Sequence, residues 1–476
     1  MPGPFHQFRR GPEGEVIFRH SVGYCDAEQR FVSDPDGIYM IGSCSKMFTS
    51  AVVGILFDPT GDHRVGQCVD VIDLLRHSTG VTPSDLLCLG PRGLILIDDE
   101  NLIPLLNVIP TSNNQGWRFN CEWRYNNFTH GLMGKVVERL TGRRFVDFVR
   151  ERILKPLGMS RTAMQWADVA YEVNVASPCA SLSDGSFAPL GSGSWPLNDM
   201  LTWCKVVLSA ERKEEARPTP QQSLAPLSRT TFCHSKGHTQ DNPLKEMNRI
   251  RRGCWTRPPD DPSCSRDAAY CMGWLRMELP SSMLGAFSGN SESKPLLAVG
   301  RSGGMPGAVV TMTNGRDHHD ASDFVAQILI QELLELTPRV DMISWAKTEA
   351  KLACNLFEER LLCPWMRNRC PDDPKRDPML YVGEYMGFNN TFSLKANLAV
   401  LFNHREATRC TLEFFKRDTY SYFCQDRNSW VSDAIFGKDY RQTLLAFQVD
   451  DVTDMATGLR WVWDIDEKPA FLTRIE

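Results

Sequence analysis

The sequence predicts an α/β (α+β) fold: an antiparallel sheet flanked by helices, with a mainly helical insertion, followed by a small C-terminal antiparallel β-domain. Three observations lead there. Short β-branched and aromatic runs bounded by turn residues lie at both ends of the first two thirds of the chain, with apolar stripes at helical spacing between them. Strands, helices, strands and a closing helix in that order suggest one discontinuous domain whose sheet is built from both ends. A Pro/Asp-rich link, Cys370-Pro371-Asp372-Asp373-Pro374, then precedes repeated short aromatic segments from Tyr381 onward. The predicted organisation is residues 1–337 as the first domain, with its helical insertion at about 60–210 and an irregular insert at about 211–262. Residues 338–380 form a helical connector and linker, and 381–476 the β-rich domain.

In order along the chain, 15–24 and 37–42 read as strands, the second entered through the turn Ser33-Asp34-Pro35-Asp36-Gly37. The apolar run 51–57 reads as a helix with Ser43 near its first turn. The pattern from Val69 fits a helical face that stops at Gly80. Leu132, Met133, Val136, Val137 and Leu140 make one stripe, and Phe145, Phe148, Val149 and Ile153 a second, halted by Lys155-Pro156. A further helix is predicted over 197–208. From Glu211 to Pro262 the composition turns to Pro, Arg, Lys, Ser and Gln, predicting a surface excursion. Strands are predicted at 271–279, 296–300 and 308–313, with a strongly apolar helix at 324–334.

Composition narrows the function. At 476 residues, with 42% hydrophobic and 23% charged residues, the chain has the make-up of an ordinary globular protein. A formal net charge of -5 with mixed signs gives no basic face, which argues against a nucleic-acid partner. The N-terminus lacks an apolar signal core and no stretch reaches about 18 consecutive apolar residues, so no membrane partner is predicted and the expected location is the cytoplasm. Sixteen cysteines are scattered without a C-x-x-C pair, as expected of buried free thiols. Cys233-His234 with His238, and His318-His319, lack a matching second half; no metal and no cofactor are predicted.

Ser43-Cys44-Ser45-Lys46 sets a hydroxyl three residues before an amine at a helix start, a spacing that puts both on one face. Alone this often marks only a helix start. Two distant stretches join it: Tyr125-Asn126-Asn127 and Arg301-Ser302-Gly303-Gly304. Together they resemble the S-x-x-K, Y-x-N and K/H-[ST]-G signatures of the serine β-lactamase and penicillin-binding-protein superfamily. The nearest likeness is to its class C β-lactamase-like branch, which includes esterases, D-peptidases and fungal acyltransferases of polyketide pathways. Flanking stretches agree. Leu74-Leu75-Arg76-His77-Ser78-Thr79-Gly80 resembles the branch's L-L-T-H-T-S-G segment, Tyr270-Cys271-Met272-Gly273-Trp274 its Y-G-L-G-W strand, and Pro156-Leu157-Gly158-Met159 its P-L-G-M helix end. The resemblance runs from about residue 14 to 335, in the family's order.

The resemblance implies acyl transfer, which needs a nucleophile, a base and oxyanion donors. Ser43 would attack, Lys46 or Tyr125 would take its proton, and Tyr125 would carry a proton to the leaving group. Asn127 would hold the substrate or Lys46, its alternative reading being a turn residue ahead of a helix. Backbone N–H groups of Gly304 and Ser43 would form the oxyanion hole, with Gly303 and Ser302 on the open strand edge. Arg301 stands where the family has Lys or His. Its fixed charge favours the deprotonated form of neighbouring groups and binds a carboxylate, but it cannot exchange protons, which counts against β-lactams as substrates.

Two other departures are a short 57–68 link and a chain that starts almost at its first strand; one reading of both is a truncated or mis-spliced gene model. The predicted function is a serine hydrolase acting on a small-molecule acyl substrate (ester, thioester or amide), free or carrier-protein-bound, in a secondary-metabolism setting. The alternatives are an acyltransferase to an alcohol, and a catalytically silent binding protein.

Overall fold

The run Ala308-Val309-Val310-Thr311-Met312, buried throughout, turns two faces of one strand toward two different helices. In the computed structural model this strand, Met305–Met312, lies second in a four-stranded antiparallel sheet ordered Leu296–Ser302, Met305–Met312, Phe5–Arg10, Glu15–Ser21. Ala308, Val310 and Met312 belong to the main core, which also holds Trp203, Cys204 and Val207 of the helix Met200–Glu215. Val309 faces the other way, against Ala326 and Leu329 of the closing helix Ala321–Leu333, and Thr311 Oγ1 donates to Ser322 O on that side. Both ends of the first two thirds of the chain thus build one sheet. The structure describes residues 5–10, 15–56, 71–83, 85–110, 112–113, 116–117, 121, 123–169, 171–172, 174–190, 196–197, 200–215, 242–252, 255–257, 268–277, 296–302, 305–316, 321–433 and 437–475.

The helix Lys46–Leu56 runs through the main core, with every residue from Lys46 to Gly54 buried. Phe48 stacks on Trp203 with ring centroids 4.2 Å apart. Burial on all sides fixes the first turn of this helix, and the nucleophile candidate with it.

Several elements differ from the sequence prediction. The strand Phe5–Arg10 was not foreseen, because its apolar residues, Phe5 and Phe8, are three apart; pairing on both edges recruits it. The helix expected to reach Gly80 is Val71–Arg76, ended by His77, which turns into the left-handed region at φ 65°. The expected strand 271–279 is a hairpin of Ala268–Tyr270 and Leu275–Met277, reversed at Gly273 with φ 75°. In the stretch expected as a surface excursion, Met200–Glu215 is still helical at its start, and Leu244, Met247 and Ile250 are buried in the main core; 216–241 lie outside the described residues. Among the described residues, no helix is long and apolar enough to cross a membrane.

From Gly383 to Arg474 the chain forms a nine-stranded antiparallel sheet. Its edge strands, Arg405–Thr411 and Glu413–Lys416, are separated by Leu412 alone, so the sheet curls back until its edges nearly meet. Its interior, with Tyr385, Phe392, Val400, Leu445, Leu459 and Trp461, is one continuous core with Leu86, Leu87, Leu96, Leu105 and Phe128 from the first part of the chain.

Candidate active site

Ser43 lies in the 3-10 turn Gly42–Ser45 that leads directly into the helix Lys46–Leu56, and it is exposed while Lys46 behind it is 7% exposed. One turn along the same face, Lys46 Nζ reaches Ser43 Oγ at 3.1 Å. The amine also donates to Asn127 Oδ1 at 2.6 Å and sits 4.7 Å from the centre of the Tyr125 ring. Four of the sequence-predicted site residues, Ser43, Lys46, Tyr125 and Asn127, therefore meet around one amine.

The alternative reading of Asn127, a turn residue ahead of the helix, falls instead to its neighbour, since Asn127 is already the first helical residue. Asn126 caps the helix Asn127–Thr141 by accepting from the N–H groups of Phe128 and Thr129 at 2.8 and 3.2 Å, and its amide donates to Val81 O at 3.0 Å. Asn127 is thereby left to face Lys46. Its Nδ2 donates to Asp85 Oδ1 at 2.8 Å. An acceptor on one end of the amide directs the carbonyl end toward the lysine.

Asp85 was not singled out in the sequence. It sits in Thr82-Pro83-Ser84-Asp85, which reads as turn chemistry, and only its spatial partner gives it meaning.

Beneath the amine is a buried ring cluster. The His77 ring lies 4.5 Å from that of Tyr125, 4.7 Å from Tyr270 and 5.0 Å from His130. The Asn126 N–H donates to His77 Nδ1 at 3.1 Å, so the ring proton is on Nε2, which donates to the Tyr270 hydroxyl at 3.1 Å. Burial, then the neighbouring charges of His130 and Lys46, hold His77 well below the usual imidazole range. Burial and Lys46 bring His130 down to about 3, against a weaker opposing effect of its bond to Leu75 O. Burial, then Tyr125 and Cys271, push the Tyr270 phenol well above its ordinary value. Lys46 thus stands over imidazoles that stay neutral. Gly273 closes the site from the hairpin side, its α-carbon so near the Lys46 carbonyl that a β-carbon would come within 2.7 Å of it.

Arg301 and Ser302 end the strand Leu296–Ser302, in register with Pro306 and Met305. Gly303 and Gly304 lie outside the described residues, as do Cys233, His234, His238, His318 and His319. Among the described residues, no group of three His, Cys, Asp or Glu side chains is placed to hold a metal. Cys25, Cys179, Cys204, Cys271 and Cys410 are buried free thiols.

A serine hydroxyl and a lysine amine in contact at the start of a buried helix are the arrangement expected of the β-lactamase-like serine hydrolases. The chain belongs to the Beta-lactamase family, whose family model matches residues 12–333. It is similar to a D-aminopeptidase of Gluconobacter oxydans (strain 621H), 23% identical over 245 residues, covering 46% of this chain and 44% of the relative. A D-aminopeptidase of Brucella anthropi is 29% identical over 229 residues, covering 43% of this chain and 42% of the relative. The chain thus spans less than half the length of these curated relatives. Among solved structures, the octameric penicillin-binding protein homologue from Pyrococcus abyssi is similar over 99% of this chain and 96% of its own, at 15% identity and a TM-score of 0.48.

Proposed function

We propose that the protein is a serine hydrolase that forms an acyl-enzyme on Ser43 from a small-molecule ester, thioester or amide. The observation that carries this is the Lys46 amine, held at 3.1 Å from Ser43 Oγ and at 2.6 Å from Asn127 Oδ1. A buried amine needs acceptors whatever its role; what sets this one apart is that one of its two partners is the hydroxyl of Ser43, an exposed residue that a substrate can reach. The D-aminopeptidases among its relatives bring amides of small amino compounds forward as test substrates.

In the acylation step the Ser43 O–H bond breaks as its proton passes to Lys46 Nζ, and Oγ bonds to the substrate carbonyl carbon. The carbonyl electron pair moves to oxygen, where the backbone N–H of Ser43 and, by the family resemblance, that of Gly304 receive it. Collapse of this intermediate expels the leaving group, which takes back a proton through Lys46 and the adjacent Tyr125. Water then attacks the ester by the reverse proton path and releases the acid and free Ser43.

The test is rapid-mixing kinetics with p-nitrophenyl butyrate and an amino-acid p-nitroanilide. A burst of nitrophenol followed by slower turnover is expected, with Lys46→Ala losing a hundredfold or more, about the contribution of a general base. Turnover by Lys46→Ala equal to that of the parent protein would overturn the proposal. Added alcohols read out the alternative fate: faster turnover with ester product marks an acyltransferase.

A further inference from the structure

The nine-stranded C-terminal sheet touches both segments that flank the candidate site. Glu467, in the turn before the last strand Ala470–Arg474, is 9% exposed at its side chain. The Thr82 hydroxyl donates to Glu467 Oε1 at 2.8 Å, and Arg124 Nη1 lies 3.7 Å from the same oxygen. Thr82 stands three residues before Asp85, and Arg124 immediately before Tyr125. The Arg124 side chain is 13% exposed, so its approach to Glu467 is shielded from solvent. Its second contact, to Asp466 at 2.8 Å, reaches a carboxylate 64% exposed and holds correspondingly less.

The packing points the same way. Leu86 and Leu87, next to Asp85, and Phe128, next to Asn127, belong to the core of the C-terminal sheet, while Met47 and Phe48, which follow Lys46, belong to the other core. The Asp85–Asn127 hydrogen bond that aims the amide at Lys46 is therefore seated on C-terminal residues. Inside the first part of the chain, Asn126 Nδ2 to Val81 O and Arg124 N–H to His77 O tie the two flanking segments together. Glu467 adds the tie from outside.

We infer that Glu467 is a positioning residue: through Thr82 and Arg124 it holds the Asp85 and Tyr125 segments at the spacing that the Lys46–Asn127 contact requires. The inference rests on the acyl-Ser43 reading above. It makes the C-terminal sheet part of the catalytic apparatus, acting on turnover rather than on substrate capture, since Glu467 acts on the site through Thr82 and Arg124.

The test is steady-state kinetics of the full chain with p-nitrophenyl butyrate for the parent, Glu467→Gln, Glu467→Ala, Asn127→Ala and the double variant Glu467→Ala/Asn127→Ala, each with its thermal midpoint. Glu467→Ala is expected to lower kcat about tenfold with KM within about threefold, the loss of one charge-assisted contact acting through geometry. Glu467→Gln keeps the acceptor for Thr82 and is expected to lose less, and it is the readout should Glu467→Ala fail to fold. In the double variant the two losses should combine to less than their product, because both act on the same amide.

A kcat for both Glu467 variants within twofold of the parent, or losses that multiply in full with Asn127→Ala, would overturn the inference while parental turnover upholds the acyl-Ser43 reading. A parent protein without turnover overturns both.

Discussion

Asp85 Oδ1 accepts a 2.8 Å hydrogen bond from Asn127 Nδ2, and this contact sets which end of the Asn127 amide faces the Lys46 amine. Without it the amide is free to turn its NH2 group toward an ammonium, where it repels instead of accepting. Asp85→Ala should lower kcat by about tenfold to a hundredfold, the equivalent of about 1.5–3 kcal/mol for a hydrogen bond to a charged group. Asp85→Asn, which still offers an oxygen, should lose less. Steady-state rates on an activated ester decide this; an Asp85→Ala rate equal to the parent's would remove Asp85 from the account.

Acid should weaken the fold through its buried histidines. In the folded chain His77 stays neutral to well below the usual imidazole range and His130 to about 3, whereas unfolding returns both to an ordinary value of 6.5. The unfolded chain binds more protons below that value, so the stability these groups confer is complete above about pH 6.5 and declines as pH falls, for His130 down to about pH 3. Each histidine contributes a slope of about 1.4 kcal/mol per pH unit in that window. Denaturant melts at pH 7 and pH 5 should differ less for His130→Asn than for the parent, by about 2 kcal/mol. Equal pH dependence in the two proteins would show that His130 takes up its proton as readily in the folded chain as in the unfolded one.

Gly273→Ala places a methyl group 2.7 Å from the Lys46 carbonyl oxygen and 2.9 Å from its carbon, on a residue held at φ 75°. Neither the hairpin turn nor the buried helix start can yield without moving Lys46. A loss of about 2–4 kcal/mol in stability is expected, with activity falling further than stability does. Chemical melts alongside ester turnover check it, and an unchanged midpoint would contradict the close packing.

Tyr270→Phe removes the hydroxyl that accepts from His77 Nε2 and leaves a buried N–H with nothing to bond. A loss of about 1–3 kcal/mol is expected, measured by the same melts. The shift should shrink in a His77→Leu background, where that donor no longer exists; an equal shift there would mean the hydroxyl bonds elsewhere.

The sequence carried the sheet-and-helix framework because Ala308 to Met312 form a short apolar, β-branched run buried on both faces and the stripe from Leu132 to Leu140 repeats at helical spacing. The spacing of Ser43 and Lys46 and the Tyr125-Asn126-Asn127 run carried the geometry around one amine. What local pattern does not encode stayed hidden. Asp85 gains its place from a partner 42 residues away. His77 ends its helix early because it is buried in a ring cluster that only the fold assembles. Cys271 to Trp274 look like a strand until the approach of Gly273 to Lys46 demands a turn. Phe5–Arg10 becomes a strand through partners on both sides, one of them about 300 residues away in Met305–Met312.

A Ser43 hydroxyl activated by Lys46 should be singled out by a serine-directed electrophile. Incubation of the full chain with a fluorophosphonate probe, followed by intact mass measurement and peptide mapping, tests it most directly. One adduct is expected, on Ser43, lost in Ser43→Ala and formed much more slowly in Lys46→Ala. An unmodified chain, or an adduct that persists in Ser43→Ala, would contradict it.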